Sequence, residues 1–525
     1  MVERSKLKEL VYDVVIIGSG MGGGALVYAL GDSGLRVALL ERGEFLPRER
    51  ENWDAEAVFG KGRYKANETW LDGLGNEFHP AMHYFVGGST KVYGAALMRL
   101  RKEDFGAVQH AEGVSPAWPI QYEDLEPYYT KAEKLFFVHG PAGGDPFGPP
   151  RSEPLPFPSL GHEPYIHDLE NRLASLGLKP GYLPLGVDRR SNGRCIRCDT
   201  CDGFPCLLDA KADADVCCVR PALQEGKIDL YTGVQVRRLV TNTSGDRVVR
   251  AEGTSQAEEF SIEASTFVVS CGAINSAALL LRSKSKAHRS GLGNSTHLVG
   301  RNYMAHLNSA ILALDLTRRN PTVFQKTMVI NDFYFNGGQR YPFPLGSLQL
   351  LGKSKAAMLK TVSGMLPHWL ADRIAQHSVD WWAISEDLPD KENRVSVTAE
   401  DKIQIFWKPR NLRAHAALLK TIRRILKQAG YQAVFVQRMG LGANSHQCGT
   451  ARFGNDPESS VLDAFCRSHE VPNLYVVDGS FFPSSAAVNP ALTIAAQALR
   501  VADRIKALNG TCSARTMNHR KASIS

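Results

Sequence analysis

The sequence predicts an α/β protein of two domains. One is a discontinuous, mostly parallel sheet wound with helices, and the other is an inserted antiparallel β-sheet covered by helices. Three observations lead there. Strand, glycine turn, helix and second strand follow one another within the first 43 residues. The strand, turn and helix texture returns at residues 267–283 and 473–505. Between those returns lie short strand-like runs separated by turn residues.

Residues 12–17, YDVVII, form the β-branched apolar run of a strand buried on both faces. Gly18, Gly20 and Gly23 follow, then ALVYALGDSGL as a helix ending near Gly34, then RVALLERG as a strand closing on Glu41 and Arg42. This is one Rossmann-like βαβ unit. The first glycine permits the tight turn and the second lets backbone approach a pyrophosphate, at which the helix aims its free N–H groups and dipole. Glu41, with Arg42 beside it, is placed for an adenosine ribose hydroxyl. NAD and FAD both use such a unit, so it leaves the choice between them open.

The later strand runs, at 308–316, 326–335, 345–352, 378–388, 393–398 and 403–408, suggest the antiparallel sheet of a substrate domain. The expected division is 1–110, 185–305 and 440–510 for the dinucleotide domain, 111–184 and 306–439 for the substrate domain, and a disordered polar tail over 511–525. Residues 353–375 read as a basic amphipathic insertion whose apolar face (Met358, Val362, Met365, Leu366, Trp369 and Leu370) suits a core or lid helix, a subunit contact or a membrane surface.

At 525 residues the chain exceeds the size at which one core keeps growing, and 43% hydrophobic residues can fill two. The formal charge of +8 is spread along the chain and accompanies no nucleic-acid motif. No apolar run approaches the roughly 20 residues of a membrane span, and the short VVIIG run is no signal-peptide core. A soluble, cytoplasmic protein is expected, unless a secreted partner carries it across a membrane.

Chemistry concentrates near the end, where His446 in HQCGT and Asn489 in NPALT bracket LYVVDGSFFP. A histidine that takes a proton and an amide that orients a hydroxyl are the groups an alcohol oxidation needs. Pro490 suits the first position of a helix, with the N–H groups of Ala491, Leu492 and Thr493 pointing at whatever lies before it.

Four stretches, in order, resemble the glucose-methanol-choline (GMC) oxidoreductases: VGGSTKVYGAALMRLRKEDF (86–105); GAINSAALLLRS with SGLGNST; VGRNYMAHL; and HQCGTARFGNDP through VVDGSFFP to NPALTIAAQALRVADRI. Ala277 and Tyr93 stand where the family commonly has proline and asparagine. The resemblance implies non-covalent FAD rather than NAD, since STKVYG lacks the histidine that tethers flavin in some members. It implies that Gly87, Gly88, Ser89, Tyr93 and Gly94 lie along the flavin and that Asp478 and Gly479 sit at its ribityl chain, although a buried Asp478 capping the next turn is the structural alternative. It places the helix opened by Pro490, Leu492 and Thr493 at the flavin edge that gains negative charge on reduction. It makes His446 the base that accepts the hydroxyl proton and Asn489 the partner of the same oxygen.

AWPIQYEDLEPYYTKAEKLFFVHG (117–140) resembles bacterial sugar dehydrogenases and pyranose or glycoside oxidases, implying a sugar, glycoside or polyol substrate. Gln349, Trp381 and Trp382 are the candidate pocket residues, with core packing the rival role for at least one tryptophan. A sterol or aliphatic alcohol, a non-catalytic flavin electron-transfer subunit and a nicotinamide dehydrogenase are the alternatives. Oxygen or a redox partner would reoxidise the flavin, and a homo-oligomer is open. Cys195, Cys198, Cys201 and Cys206 form C-x2-C-x2-C-x4-C, compatible with an iron-sulfur cluster, with disulfides or with free thiols.

Overall fold

Val14, Val15 and Ile16 are fully buried, so the first strand, Tyr12–Ile17, sits at the centre of its sheet rather than at an edge. The computed structural model describes residues 11–443 and 446–522. Around the first strand the parallel order runs Asp229–Tyr231, Val37–Leu40, Tyr12–Ile17, Glu258–Val269 and Leu474–Val476. Strands distant in sequence become neighbours, which is the discontinuity the texture predicts. Glu258–Val269 is long enough to serve twice. Its second half joins the parallel sheet and its first half pairs with Val248–Ser255 in an antiparallel meander with Val234–Thr241, a feature sequence reasoning missed.

The helices Met21–Leu30 and Ala491–Ala522 pack on this sheet, with Ala25, Leu26, Ala495 and Ala496 fully buried. The closing helix continues to Ala522, over the stretch expected to be a disordered tail, and residues 523–525 lie outside the described residues.

The second sheet is antiparallel throughout, in the order Ala433–Arg438, Leu307–Leu314, Ser378–Ser385, Ser347–Leu350, Met328–Ile330, Gly181–Tyr182. Alternation divides its faces. Ile311, Met328, Leu348, Leu350, Val379, Trp381 and Ala383 pack with Leu418 and Ile422 of the helix Leu412–Gln428. The opposite face carries Ser347, Gln349 and Trp382 and turns toward the first domain, whose core takes in Val329. Arg394–Val397 and Ile403–Phe406 do form strands but belong to a separate small sheet with Trp70–Asp72 and Glu77–Phe78, because period-two alternation marks a strand without naming its partner.

The 353–375 insertion folds as two helices, Ala356–Val362 and His368–His377, broken at Gly364 and Pro367. Met365 is 95% exposed and Trp369 71%, which excludes the core-helix reading for those two side chains. Among the described residues no helix is long and apolar enough to cross a membrane.

Candidate active site

The glycine spacing acquires separate physical reasons in three dimensions. Gly18 adopts φ +97°, and a Cβ there would lie 2.3 Å from the Ser270 carbonyl oxygen. A Cβ on Gly23 would lie 1.9 Å from the Gly18 oxygen, so the helix packs too close to the turn for any side chain. Gly22, unassigned from sequence, is equally constrained, 1.9 Å from the Val477 oxygen. Gly20 differs, because a Cβ there meets nothing within 4 Å. The open space faces the amino end of Met21–Leu30, where first-turn N–H groups have no helical acceptor. That is a cradle for a diphosphate.

Glu41 is 5% exposed and accepts from the Ser19 N–H (3.0 Å), the Ser19 hydroxyl (2.6 Å) and the Gly43 N–H (2.9 Å). Burial raises its pKa against these donors. Three of about four acceptor positions are filled, leaving room for one ribose hydroxyl. Arg42 turns aside, its guanidinium 3.7 Å from the Tyr84 ring centre and 3.4 Å from Glu68.

The second glycine loop lies against the first. Gly87 and Gly88 take φ +96° and +56°, the Gly87 N–H donates to the Ser19 hydroxyl at 3.0 Å, and a Cβ on Gly88 would sit 3.1 Å from Gly20 Cα. Ser89 is exposed at this junction, and Lys91 behind it is buried between Asp213 (3.0 Å) and Asp215 (2.9 Å). The Tyr93 hydroxyl donates to the Ala212 carbonyl, which ties the loop to the cysteine-rich segment. Gly94 has no room for a Cβ, which would lie 2.0 Å from Lys326 Nζ and 2.2 Å from Asp202 Oδ1.

His446 and Asn489 are brought together, with Asn489 Nδ2 3.4 Å from His446 Nε2. Asn489 Oδ1 is buried without a hydrogen-bond partner. Burial, then the nearby His306 and Lys326, hold the His446 pKa well below the usual imidazole range, so the ring is a neutral acceptor. His306, which sequence reasoning did not select although it lies within the quoted VGRNYMAHL, places Nδ1 2.9 Å from His446 Nδ1 and Nε2 2.8 Å from the Ser485 carbonyl.

The loop before Asn489 is fixed. The Ser485 hydroxyl accepts from the Asp387 N–H (3.2 Å) and donates to the Asp387 carbonyl (3.0 Å), and Ala486 holds a left-handed φ of +53°. After Pro490 the helix begins, with Leu492 and Thr493 buried and the Thr493 hydroxyl 2.8 Å from that of Tyr129. Asp478 takes the capping role weighed as its alternative. It accepts from the N–H (2.8 Å) and hydroxyl (2.5 Å) of Ser480, and from Gly272 N–H (3.0 Å) and Ser276 hydroxyl (2.5 Å). Gly479 opens that turn, close enough to Gln447 that a Cβ would lie 2.5 Å from its carbonyl oxygen.

Of the substrate candidates, Trp381 is fully buried in the hydrophobic cluster beneath the helix Leu412–Gln428 and does not reach the site. Gln349 and Trp382 are register partners on the opposite face, and Gln349 Oε1 and Ser347 Oγ are buried without partners. Cys195, Cys198, Cys201 and Cys206 are free thiols, and among the described residues no three His, Cys, Asp or Glu side chains gather as a metal site. The iron-sulfur reading therefore has no support in the geometry.

The open space at Gly20 and the spare position on Glu41 fit the diphosphate and ribose of a dinucleotide, and Asn489 Oδ1 beside His446 is left without a partner. Comparison with known proteins agrees. The GMC oxidoreductase family profiles match residues 77–308 and 389–498. The chain is 32% identical to 6'''-hydroxyparomomycin C oxidase of Streptomyces lividus, over 94% of this chain and 91% of that protein. It is 30% identical to paromamine 6'-oxidase of Streptomyces fradiae, over 97% and 93%. A crystal structure of pyridoxine 4-oxidase from Mesorbium loti shares the fold with a TM-score of 0.67 at 19% identity, covering 94% of this chain and 99% of that one.

Proposed function

The chain belongs to the GMC oxidoreductases, flavoproteins that bind FAD and act on CH–OH donors, and from that membership we propose that it oxidises one hydroxyl of a sugar, glycoside or polyol to a carbonyl, with His446 as base. The observation that carries this reading is the pairing of His446 Nε2 with Asn489 Nδ2 at 3.4 Å. That contact is long for a hydrogen bond and is made to be replaced. A carbinol oxygen entering between the two donates its proton to Nε2 and accepts from the amide, which orients the substrate C–H bond.

FAD, when bound, supplies the two-electron acceptor for the hydride that leaves the carbinol carbon. Gly18, Gly20, Gly23 and Glu41 would hold its adenosine and diphosphate half, and Gly87 to Gly94, Asp478, Gly479 and the amino end of Ala491–Ala522 its flavin half. Free N–H groups at that helix start favour negative charge nearby. No side chain in the 86–94 loop offers a histidine for a covalent link, which supports dissociable FAD.

A polyhydroxylated substrate is supported by Gln349 and Ser347, whose buried polar atoms lack partners on the sheet face that carries Trp382. A sterol or aliphatic chain would leave those atoms unsatisfied. The names of the two Streptomyces relatives support the same class and point to oxygen as electron acceptor, with a redox partner as the other route.

Anaerobic mixing of the yellow holoprotein with glycosides, aminosugars, polyols and sterols tests the reading. Bleaching of the flavin by members of the first three groups and not by sterols is expected, with oxygen uptake on admitting air. His446→Ala should slow bleaching by a hundredfold or more, on the order of a general base's contribution. Retention within about tenfold would refute the base assignment.

A further inference from the structure

On the edge of its ring away from Asn489, His446 meets a second imidazole, that of His306. His306 is 1% exposed and stands at the head of the strand Leu307–Leu314. Its Nε2 lies 2.8 Å from the Ser485 carbonyl oxygen, an atom that only accepts, so Nε2 carries the proton. Burial pushes the His306 pKa down, against the pull of the Ser485 carbonyl and the Glu386 charge, and the neutral ring keeps its lone pair on Nδ1. His446 Nδ1 faces that lone pair at 2.9 Å and completes the contact only as an N–H donor. The two rings are steeply inclined, at 81° with centres 5.0 Å apart, which excludes stacking and leaves the edge-on hydrogen bond as their contact.

We propose that His306 is a positioning residue that locks His446 as the Nδ1–H tautomer, leaving Nε2 as the one atom able to take the substrate proton. The inference rests on the base assignment above and deepens it. The proton on His306 Nε2 is held by a backbone carbonyl, which cannot carry it onward, so His306 acts on His446 through orientation. A carboxylate in its place would stabilise the imidazolium and raise the basicity of His446. A neutral imidazole orients the ring without adding that charge, which suits a base that must surrender its proton every cycle. Ser485 is anchored on both sides of its hydroxyl by Asp387, so the last acceptor in the chain is fixed.

Nitrogen-15 labelling of histidine in the holoprotein tests this without turnover. The His446 signals are assigned by their loss in His446→Gln. Wild type should show a protonated Nδ1 and a bare Nε2. His306→Asn, which keeps an acceptor near the same place, should preserve that pattern. His306→Leu should mix the tautomers and slow anaerobic flavin reduction about tenfold or more, with KM little changed. A wild-type ring protonated on Nε2, or a folded His306→Leu variant with an unaltered pattern, would overturn the lock. If His306→Leu does not fold, the wild-type and His306→Asn spectra decide. Should His446→Ala keep its rate while the tautomer pattern stands, the base assignment fails and the lock does not.

Discussion

Lys326 and Asp202 form an ion pair of 2.8 Å directly against Gly94, joining the domain of the antiparallel sheet, the cysteine-rich segment and the second glycine loop at one point. Asp202 also accepts from the Gly352 N–H at 3.1 Å. Burial pushes the Asp202 carboxyl up, but Lys326 and that N–H hold it below the usual range, so Asp202 is a carboxylate. A buried lysine charge close to His446 lowers the affinity of that ring for a proton.

Removing the charge should therefore change pH dependence before anything else. As the proposed base, His446 must be neutral, so the rate should fall as pH drops through its pKa. In Lys326→Met that pKa rises, and the acid limb of anaerobic flavin reduction should move to higher pH. The single variant leaves Asp202 uncompensated and should lose about 3–5 kcal/mol of stability, most of it recovered in the double variant with Asp202→Asn. An acid limb that stays in place, measured by stopped-flow across pH, would show that Lys326 does not act on His446.

The first glycine loop offers a separation of folding from binding. Gly18→Ala must hold φ near +97° with its Cβ 2.3 Å from a carbonyl oxygen, so the apoprotein itself should be destabilised. Gly20→Ala meets no protein atom within 4 Å and keeps an extended φ of −65°, so the melting temperature of its apoprotein should hold. Its methyl group projects into the proposed diphosphate space, and FAD affinity should fall by a factor of ten or more, about 1.4 kcal/mol. Titration of apoprotein with FAD, beside a thermal melt, distinguishes the two.

How much of this was legible depends on the range of the signal. The βαβ unit was legible from local spacing, and the closeness of His446 to Asn489 from the resemblance that the motif order carries. Gly22 was not, since its constraint comes from Val477, far along the chain. His306 and Lys326 were missed for the same reason: a lone histidine or lysine in sequence carries no sign of what it will face. Trp381 and Trp382 show the limit most sharply. Adjacent residues in a strand point to opposite faces, and which face holds the core is fixed by the helix Leu412–Gln428, not by the tryptophans.

That division predicts opposite phenotypes for neighbours in one sheet. Trp381→Ala opens a cavity under the helix and should cost about 3–5 kcal/mol, with KM unchanged in whatever remains folded. Gln349→Leu removes a buried amide whose Oε1 has no partner, so the fold should be as stable or more so, while KM for the sugar rises. Chemical denaturation with steady-state kinetics on both variants checks this. A rise in KM for Trp381→Ala alone would reverse the assignment of faces.

Buried acids behind the site set the dependence of stability on pH. Asp104 accepts from the Arg101 N–H (2.7 Å) and the Tyr334 hydroxyl (2.9 Å), and Asp387 from Trp407 Nε1 (2.8 Å) and the Arg410 N–H (2.8 Å). Burial nonetheless raises each to about 7. A carboxyl whose pKa is higher in the folded state binds its proton more tightly there than in the unfolded chain. Its stabilising contribution is full below about pH 4, the unfolded value, and is lost as pH rises through 7. The melting temperature should accordingly decline between those limits. Asp104→Asn keeps an acceptor for Tyr334 and removes the titration, so its decline should be shallower than that of wild type. A variant curve parallel to wild type over the whole interval would mean that Asp104 stays ionised in the folded protein, and that the Arg101 charge outweighs its burial.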